Sequence, residues 1–286
     1  MCAATRWSES QRGDSLFTDA LAKRLAGAEG MRNPMGEWIM VPRTRYGDDL
    51  VRNAYEKNHC RQLVLLGAGM DARAYRMEGM PELRVFEVDQ QTTFDVKEPL
   101  LRDEQILVKS RVAVGTDFRE QGRWVRDLLA QQVVESDNSV SNTLTTFDSS
   151  VPTVWLLEGL LMYLSMDDTI ALMQNIKFLS APGSVVFHDA VTERYIDQGI
   201  VVGGAPFIGG SDDYAGLWRK HAGFSSGFVR DFDSIEVNRA RRKLILHPQT
   251  YRGHGAEATP ARCHGQHLCL FVTVEKPGSR TMRQDF

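Results

Sequence analysis

The segment from Gln62 to Met77, QLVLLGAGMDARAYRM, constrains this chain more than any other. Apolar residues 63–66, typical of a buried strand, run directly into Gly67, Ala68 and Gly69, so the chain must turn sharply where that strand ends. Glycine has no Cβ, which lets another molecule approach the main chain closely at such a turn. The pattern predicts a parallel sheet that holds a nucleotide-like small molecule at the carboxyl end of this strand.

Composition is that of an ordinary globular protein with a sizeable core: 42% of residues are hydrophobic and 25% are charged. A net charge of -3 gives no basic surface for nucleic acid. For that reason we expect no nucleic-acid partner. No apolar run has the length of a membrane span and the N-terminus lacks a signal-peptide core, so we expect no membrane partner either. The polar residues 1–14 are expected to fray.

Four cysteines are too few and too scattered for a disulfide framework, so a reducing, cytoplasmic location is expected. Two of them, Cys263 and Cys269, flank His264 and His267. These spacings do not match common zinc sites, and we interpret the segment as a loop that enters a late strand. No metal is therefore expected, and the sequence predicts no particular oligomeric state.

Strand-like and helical segments alternate along the chain, which is typical of a doubly wound, mostly parallel α/β sheet. We predict strands at 62–67, 83–89, 106–114, 153–159 and 184–190, followed by a hairpin-like antiparallel pair, 228–237 and 269–276, at one edge. The helical pattern covers 15–28, 46–59 and 166–179.

A single domain, 1–286, is expected to contain four regions. They are an N-terminal helical cap (1–60), a cofactor-binding core (61–190), a substrate lid (191–230) and the final strand pair (231–286). The lid prediction depends on 198–227, which is rich in glycine and aromatic residues, because long loops in compact domains are usually functional or disordered. Residues 135–150 are predicted to form a surface loop.

The glycine turn also fits a dinucleotide site, since Gly67-x-Gly69-x-x-Ala72 matches that fingerprint with alanine in third place. Asp89 follows about twenty residues later, where an acidic residue holds ribose hydroxyls. Glu87 is expected on the same face of the strand, and two carboxylates there would reject a phosphorylated ribose. These features alone leave an NAD-dependent oxidoreductase open.

Further motifs occur in a fixed order between Arg43 and Ser165: Arg43-Thr-Arg45, LLGAGMDARAYR, FEVDQ, Thr116-Asp117-Phe118 and WLLEGLLMYLS. This series resembles the leucine carboxyl methyltransferase family, which includes bacterial and fungal O-methyltransferases of polyketide and other small-molecule pathways. The resemblance covers close to half of the chain and is poor beyond about residue 190. It implies a class I methyltransferase with a Rossmann-like fold and S-adenosyl-L-methionine as cofactor. One departure is Met70-Asp71-Ala72, where the family commonly has Leu-Asp-Thr.

The resemblance also implies residue roles at the methionine end of that cofactor. Arg43 would grip the methionine carboxylate, for which a guanidinium fork is suited, with Arg45 as the alternative because spacing does not choose between them. Gly67 and Gly69 would let the backbone lie along the cofactor. Glu158 would face the methionine ammonium and the sulfonium.

At the adenosine end, Asp89 would accept two hydrogen bonds from the ribose hydroxyls. Asp117 would accept one from the adenine amino group, with the Phe118 main chain at a ring nitrogen. The cofactor-binding residues expected in this way are Arg43, Gly67, Gly69, Asp71, Asp89, Asp117, Phe118 and Glu158.

The acceptor side is less defined by the motifs. Asp71 is interpreted as a cap of the helix that follows it, while Arg73 and Arg76 either form a structural ion network or position an acidic substrate. Tyr163 either packs or contacts the substrate. The candidate substrate-positioning residues are therefore Arg73, Tyr163 and Arg45.

Methyl transfer from a sulfonium to a carboxylate needs no general base, so proximity and orientation would dominate. The predicted function is formation of a methyl ester on a small-molecule acid by an S-adenosylmethionine-dependent O-methyltransferase of secondary metabolism. A phenolic or hydroxyl acceptor on a polyketide-like scaffold is the alternative. It would require a base, for which His188 is the candidate, although a histidine in a core strand is more often scaffolding.

Overall fold

The structure is a computed structural model that describes residues 1–118, 120, 122–131, 133–135, 143–224, 226–231, 234–247 and 269–277. A seven-stranded sheet forms its centre. The sheet consists of β1 (Gln62–Leu66), β2 (Arg84–Asp89), β3 (Ser110–Gly115), β6 (Thr153–Leu157), β7 (Val185–Val191), β10 (Ser226–Asp231) and β13 (Cys269–Glu275). Three two-stranded ribbons lie outside it: β4 (Val133–Glu135) with β5 (Thr143–Thr145), β8 (Val201–Val202) with β9 (Ala205–Pro206), and β11 (Ile235–Asn238) with β12 (Lys243–Leu246).

Helices precede and alternate with the strands. They are α1 (Cys2–Ser10), α2 (Ala22–Arg32), α3 (Glu37–Lys57), α4 (Arg73–Arg76), α5 (Gln91–Leu101), α6 (Arg123–Ala130), α7 (Met166–Phe178), α8 (Glu193–Ile196) and α9 (Tyr214–Leu217). A π-helical turn (Trp218–Ala222) and two 3-10 turns (Leu161–Tyr163 and Arg239–Arg241) complete the helical set in the described part of the chain. None of the described helices has the length and apolar character needed to cross a membrane.

The strand order is β3-β2-β1-β6-β7-β13-β10, and only β13 runs antiparallel to the other six strands. The predicted mostly parallel sheet is confirmed. The antiparallel pair predicted at one edge is also present, as β13 and β10, with β10 outermost. Because the other strands are parallel, β1, β2, β3, β6 and β7 all end at the same edge of the sheet.

The central strands carry apolar side chains on both faces because helices cover both sides. All residues of β1, β6 and β7 are buried. On one side Trp155 packs with Trp124 of α6, whose ring centroid is 6.4 Å away, and with residues of α7. On the other side α3 packs on the sheet, and Tyr46 shares a 3.0 Å hydrogen bond with Thr273 of β13. Side chains from the helices thereby pack against both faces of the sheet.

The N-terminal segment differs from the prediction that it frays, since residues 2–10 form α1. Two charged residues anchor this helix. Arg6 donates a hydrogen bond from Nε to Asp19 at 2.8 Å, and the buried Glu9 accepts one from the Leu16 main chain at 2.7 Å. Polar side chains in this segment therefore stabilise its packing through tertiary contacts, which local composition does not reveal.

Several boundaries also differ from the predictions. The helix expected at 15–28 begins only at Ala22, and the one expected at 46–59 is the end of a helix that begins at Glu37. Residues 106–109 precede β3 rather than belonging to it. The strand expected at 228–237 is two strands, β10 and β11, of which β10 starts inside the expected lid and pairs with β13.

Two predicted features fall wholly or partly outside the described residues. The surface loop expected at 135–150 contains β5, while its residues 136–142 are not described. Of the Cys263–Cys269 segment, only the backbone of Cys269 is described, as the first residue of β13.

Candidate active site

The glycine turn after β1 has the left-handed backbone that glycine permits, with φ of +70° at Gly67 and +48° at Gly69. It is tied to the end of β2, because the Gly67 N–H donates to the Val88 carbonyl at 2.9 Å. A Cβ on Gly67 would lie 3.3 Å from Leu160, but a Cβ on Gly69 would have no neighbour nearer than the Gly67 carbonyl at 4.0 Å. The Gly69 side of the turn is thus open to an approaching molecule.

Asp89, the last residue of β2, faces this turn as predicted. Its Oδ2 accepts a 2.7 Å hydrogen bond from the Gly69 N–H, and its Oδ1 accepts from the Gln90 N–H at 2.7 Å and the Thr93 hydroxyl at 3.0 Å. A carboxylate offers about four lone-pair sites. Asp89 can therefore accept about one further hydrogen bond in this arrangement, rather than the two expected from a ribose.

At the end of β3 the predicted adenine-side residues lie next to Asp89. The Thr116 N–H donates to the Asp89 carbonyl at 2.8 Å, which places Asp117 and Phe118 beside the end of β2. Phe118 packs edge-on against Trp124, with ring centroids 6.1 Å apart. The structure thus brings Asp89, Asp117 and Phe118 to one end of the crevice.

Arg43, Glu158 and Asp189 form the opposite end. Arg43 reaches from α3 to the ends of β6 and β7, where its Nη1 donates to Asp189 at 2.6 Å and its Nε lies 3.6 Å from Glu158. Asp189 also accepts a 2.6 Å hydrogen bond from the main chain of Gly159. Burial raises the pKa of Glu158, although Arg73 and Arg43 oppose that shift. Burial alone would lower the pKa of Arg43, but Asp189 and Glu158 raise it.

Arg73 connects this cluster to the glycine turn. Its guanidinium donates to Asp48 at 2.8 Å, to Asp71 at 2.6 Å and to Glu158 at 2.6 Å, and its side chain is only 2% exposed. Burial would raise the pKa of Asp71, but Arg73 and neighbouring cations hold it well below its usual value. Asp71 also accepts from the Arg73 main chain at 2.6 Å, as predicted for a helix-start contact.

Arg76 extends the same network away from the crevice. It donates to Asp48 at 2.6 Å and lies 3.8 Å from Asp19, which in turn binds Arg6. Of the two alternatives for Arg73 and Arg76, the geometry therefore favours the structural ion network.

Arg45 and Glu87 lie away from this site. Arg45 donates to Asp49 at 2.8 Å and to the Leu16 carbonyl at 2.6 Å, because two helical positions turn it about 200° from Arg43. Of the two arginines, Arg43 is therefore the one that lies against Glu158 and Asp189. Glu87 is buried against Lys97 and Arg111, each at 2.7 Å, so it does not join Asp89 at the turn.

Tyr163 lies on the 3-10 turn after Glu158 and is half-buried. Its ring packs edge-on against Phe207 of the expected lid, with centroids 5.1 Å apart, and the two belong to an apolar cluster with Ile39, Tyr195 and Ile196. Burial raises the pKa of Tyr163, and Arg43 opposes that shift. The main-chain N–H of Ile208 donates to the Met162 carbonyl at 2.8 Å, which fixes the segment 207–209 beside this cluster.

His188 is fully buried, and its Nε2 accepts a 2.9 Å hydrogen bond from the indole N–H of Trp218. Burial lowers its pKa to about 4. A histidine whose acceptor nitrogen is already occupied is scaffolding, so His188 is a poor candidate for the base that a phenolic acceptor would need.

Sequence reasoning missed Asp48 and Asp189. Asp189 stands in VVFHDAV, a run in which every residue is buried, and a lone carboxylate in such a strand is a usable signal of a buried ionic partner. Asp48 lies within the helical pattern of α3 and carries no comparable signal.

Several known proteins are similar to this chain. A protein of Streptomyces avermitilis named "Putative S-adenosyl-L-methionine-dependent methyltransferase" is 36% identical over 198 residues, which is 64% of each chain. A protein of Parafrankia sp. with the same description is 31% identical over 239 residues, 76% of this chain and 69% of that one. The chain thus spans somewhat less than two thirds of the length of the first relative and slightly more of the second.

Solved structures share the fold at low sequence identity. A DUF574 family protein from Streptomyces avermitilis superposes with a TM-score of 0.57 at 14% identity and covers 97% of both chains. A protein from Thermobifida fusca, titled a "putative methyltransferase", gives 0.52 at 15% identity, covering 96% of this chain and 94% of that one. The predicted class I methyltransferase fold is confirmed.

The model of the family described as leucine carboxyl methyltransferase matches residues 1–177, more than half of the chain. This match includes Arg43, Asp89 and Glu158, the residues at the two ends of the crevice. The chain belongs to the leucine carboxyl methyltransferase family.

Proposed function

We propose that this protein is an S-adenosylmethionine-dependent O-methyltransferase that forms a methyl ester on the carboxylate of a small organic acid. The observation that carries the proposal is the buried Arg43–Glu158–Asp189 cluster, which lies across the open glycine turn from Asp89. Family membership and the relatives named for this cofactor support it, and favour it over the NAD-dependent alternative.

The residues present fit such a cofactor. The Nε of Arg43 is buried without a hydrogen-bond partner among the described residues, and a side-chain carboxylate of Glu158, 15% exposed, lies next to it. Arg43 would hold the methionine carboxylate and Glu158 the ammonium, while Asp89 and Asp117 would hold the adenosine. S-adenosylmethionine would supply an activated methyl group on its sulfonium.

A carboxylate acceptor fits the side chains better than a phenol does. A phenol would need a base, and the titratable groups in the described part of the crevice are poorly suited to that task. His188 is occupied by Trp218, Glu158 is held by Arg73, and burial keeps the Tyr163 hydroxyl protonated. A carboxylate is already a nucleophile, so these residues need only bind and orient the reactants.

The apolar cluster around Tyr163 would receive the body of the acid. Tyr163 and Phe207 are partly buried rather than fully enclosed. The Tyr163 hydroxyl could donate a hydrogen bond to the acceptor. A small cytoplasmic metabolite of secondary metabolism fits an apolar wall of this kind, and we propose that class of acceptor.

The cofactor assignment is tested by calorimetry with S-adenosylhomocysteine and NAD in parallel. Wild-type protein should bind the first and not the second. Glu158→Gln should weaken S-adenosylhomocysteine at least about tenfold, or ~1.4 kcal/mol, because the ammonium loses a charged partner. NAD binding with no response to S-adenosylhomocysteine would refute the assignment.

The acceptor class is tested with matched pairs of aromatic acids and phenols of the same size, using methyl-labelled cofactor. A methyl ester releases labelled methanol in alkali, whereas a methyl ether does not. We expect label transfer to acids that alkali releases. Alkali-stable transfer to the phenols alone would favour the hydroxyl alternative instead.

A further inference from the structure

Asp189 is a buried carboxylate in the last part of a core strand. It is 1% exposed, and its backbone lies opposite that of Phe271 in the neighbouring strand β13. Placing an ionised carboxylate there is costly unless it is paired and hydrogen-bonded. The two partners it does have therefore indicate what its position is for.

Those partners lie on either side of Glu158. One oxygen of Asp189 accepts from Arg43 Nη1 at 2.6 Å, and the other accepts from the Gly159 N–H at 2.6 Å. Gly159 directly follows Glu158 and has a left-handed φ of +70°. A single carboxylate thus fixes both the guanidinium beside Glu158 and the turn that carries Glu158.

The remaining contacts of Arg43 show what Asp189 prevents. Arg43 Nη2 contacts the Met40 sulfur at 3.2 Å, and its Nε lies 3.6 Å from Glu158, beyond a good hydrogen bond. Without its hydrogen bond to Asp189, the guanidinium could move closer to Glu158, and Nε could then form a full ion pair with that carboxylate. Since the other oxygen of Glu158 already accepts from Arg73 at 2.6 Å, such a pair would occupy both oxygens of Glu158 and leave neither for an ammonium.

We propose that Asp189 is a positioning residue for the amino-acid end of the cofactor. It holds Arg43 away from Glu158, so that the Nε of Arg43 stays available to the ligand carboxylate and one oxygen of Glu158 stays available to the ammonium. This role rests on the proposed function, since it needs a ligand that carries both groups. Asp189 itself does not contact the ligand.

The test compares two ligands that differ only at that end. S-adenosylhomocysteine carries the amino-acid group, whereas 5′-methylthioadenosine has the same adenosine and sulfur without it. Asp189→Asn is the matched variant: its oxygen can still accept from Gly159, but its amide N–H groups face the Arg43 donor. Calorimetry should show at least about tenfold weaker binding of S-adenosylhomocysteine and no more than about twofold change for methylthioadenosine.

Glu87→Gln is the control, because it breaks a buried ion pair with Lys97 outside the crevice. It should lower stability yet leave both affinities as in wild type. Asp189→Glu keeps the charge but moves it by one methylene, and it should show the same ligand selectivity as Asp189→Asn. It replaces Asp189→Asn in the test if Asp189→Asn does not fold.

Equal weakening of both ligands by the Asp189 variants would overturn the proposal in favour of a purely structural role, and unchanged affinities would overturn it outright. If wild-type protein bound methylthioadenosine but not S-adenosylhomocysteine, the positioning role would fail at once. Binding of neither ligand by wild type would instead refute the proposed function on which this role rests.

Discussion

Replacement of Arg73 by leucine should destabilise the protein strongly, since three carboxylates share this one guanidinium. Asp48, Asp71 and Glu158 lie 2.6–2.8 Å from it, and its side chain is 2% exposed. Removing one member of a buried ion pair costs about 3–5 kcal/mol. We expect the free energy of unfolding to fall by at least about that amount for Arg73→Leu, and by less for Arg73→Lys, which keeps the charge but not the fork.

The assay is urea unfolding followed by tryptophan fluorescence, with Arg123→Leu as the matched control. Arg123 pairs with Glu120 on the exposed surface, where an ion pair stabilises little. A loss for Arg73→Leu no greater than that of the control would refute the network interpretation. It would instead favour the alternative in which Arg73 positions an acidic substrate.

The pH dependence gives the same prediction a second test. Burial would raise the pKa of Asp48 and of Asp71, but the arginines lower both. Stabilisation by a carboxylate with a lowered folded-state pKa is complete above its ordinary value near 4 and is lost as the pH falls through the folded-state pKa. The stability difference between wild type and Arg73→Leu should therefore shrink only under strongly acidic conditions.

Two further predictions concern other charges in the site. Burial lowers the pKa of His188 to about 4 from 6.5. Its contribution to the free energy of unfolding is therefore complete above pH ~6.5 and is lost as the pH falls through ~4, a change of about 3 kcal/mol. The free energy of unfolding of His188→Gln should lack this pH dependence, and a His188 pKa near 6.5 measured by NMR would contradict the burial argument. The crevice should also bind S-adenosylmethionine more tightly than S-adenosylhomocysteine in calorimetry, because only the former carries a sulfonium charge, and equal affinities at low salt would contradict a net negative site.

The sequence predicted the parts of the site that depend on local motifs. Asp89 ends β2 and Glu158 directly follows β6, and the apolar runs of these strands identify them, so the place of both carboxylates at the sheet edge could be inferred. Gly67 and Gly69 were assigned the turn that their left-handed φ values confirm.

What the sequence could not give depends on contacts between distant residues. Asp189 lies 146 positions from Arg43, and nothing local to either one indicates the pair. The place of β13 inside the sheet has the same cause, since a strand's neighbours are chosen by the whole fold and not by its own residues. The helical N-terminus was missed because buried partners, such as Asp19 for Arg6, outweigh its polar composition.

Charge argues against direct recognition of the proposed acid by the arginines of the glycine turn. The ion network around the crevice contains three guanidiniums and four carboxylates, so its net charge is -1. Its members are Arg43, Arg73, Arg76, Asp48, Asp71, Glu158 and Asp189. A crevice of that sign attracts a cationic cofactor and repels a free carboxylate. The bound sulfonium would cancel the excess negative charge and so favour entry of the acid after the cofactor. In the proposed reaction, methyl transfer would leave an uncharged ester and a cofactor product without its sulfonium, and so would weaken the hold of the crevice on the cofactor product.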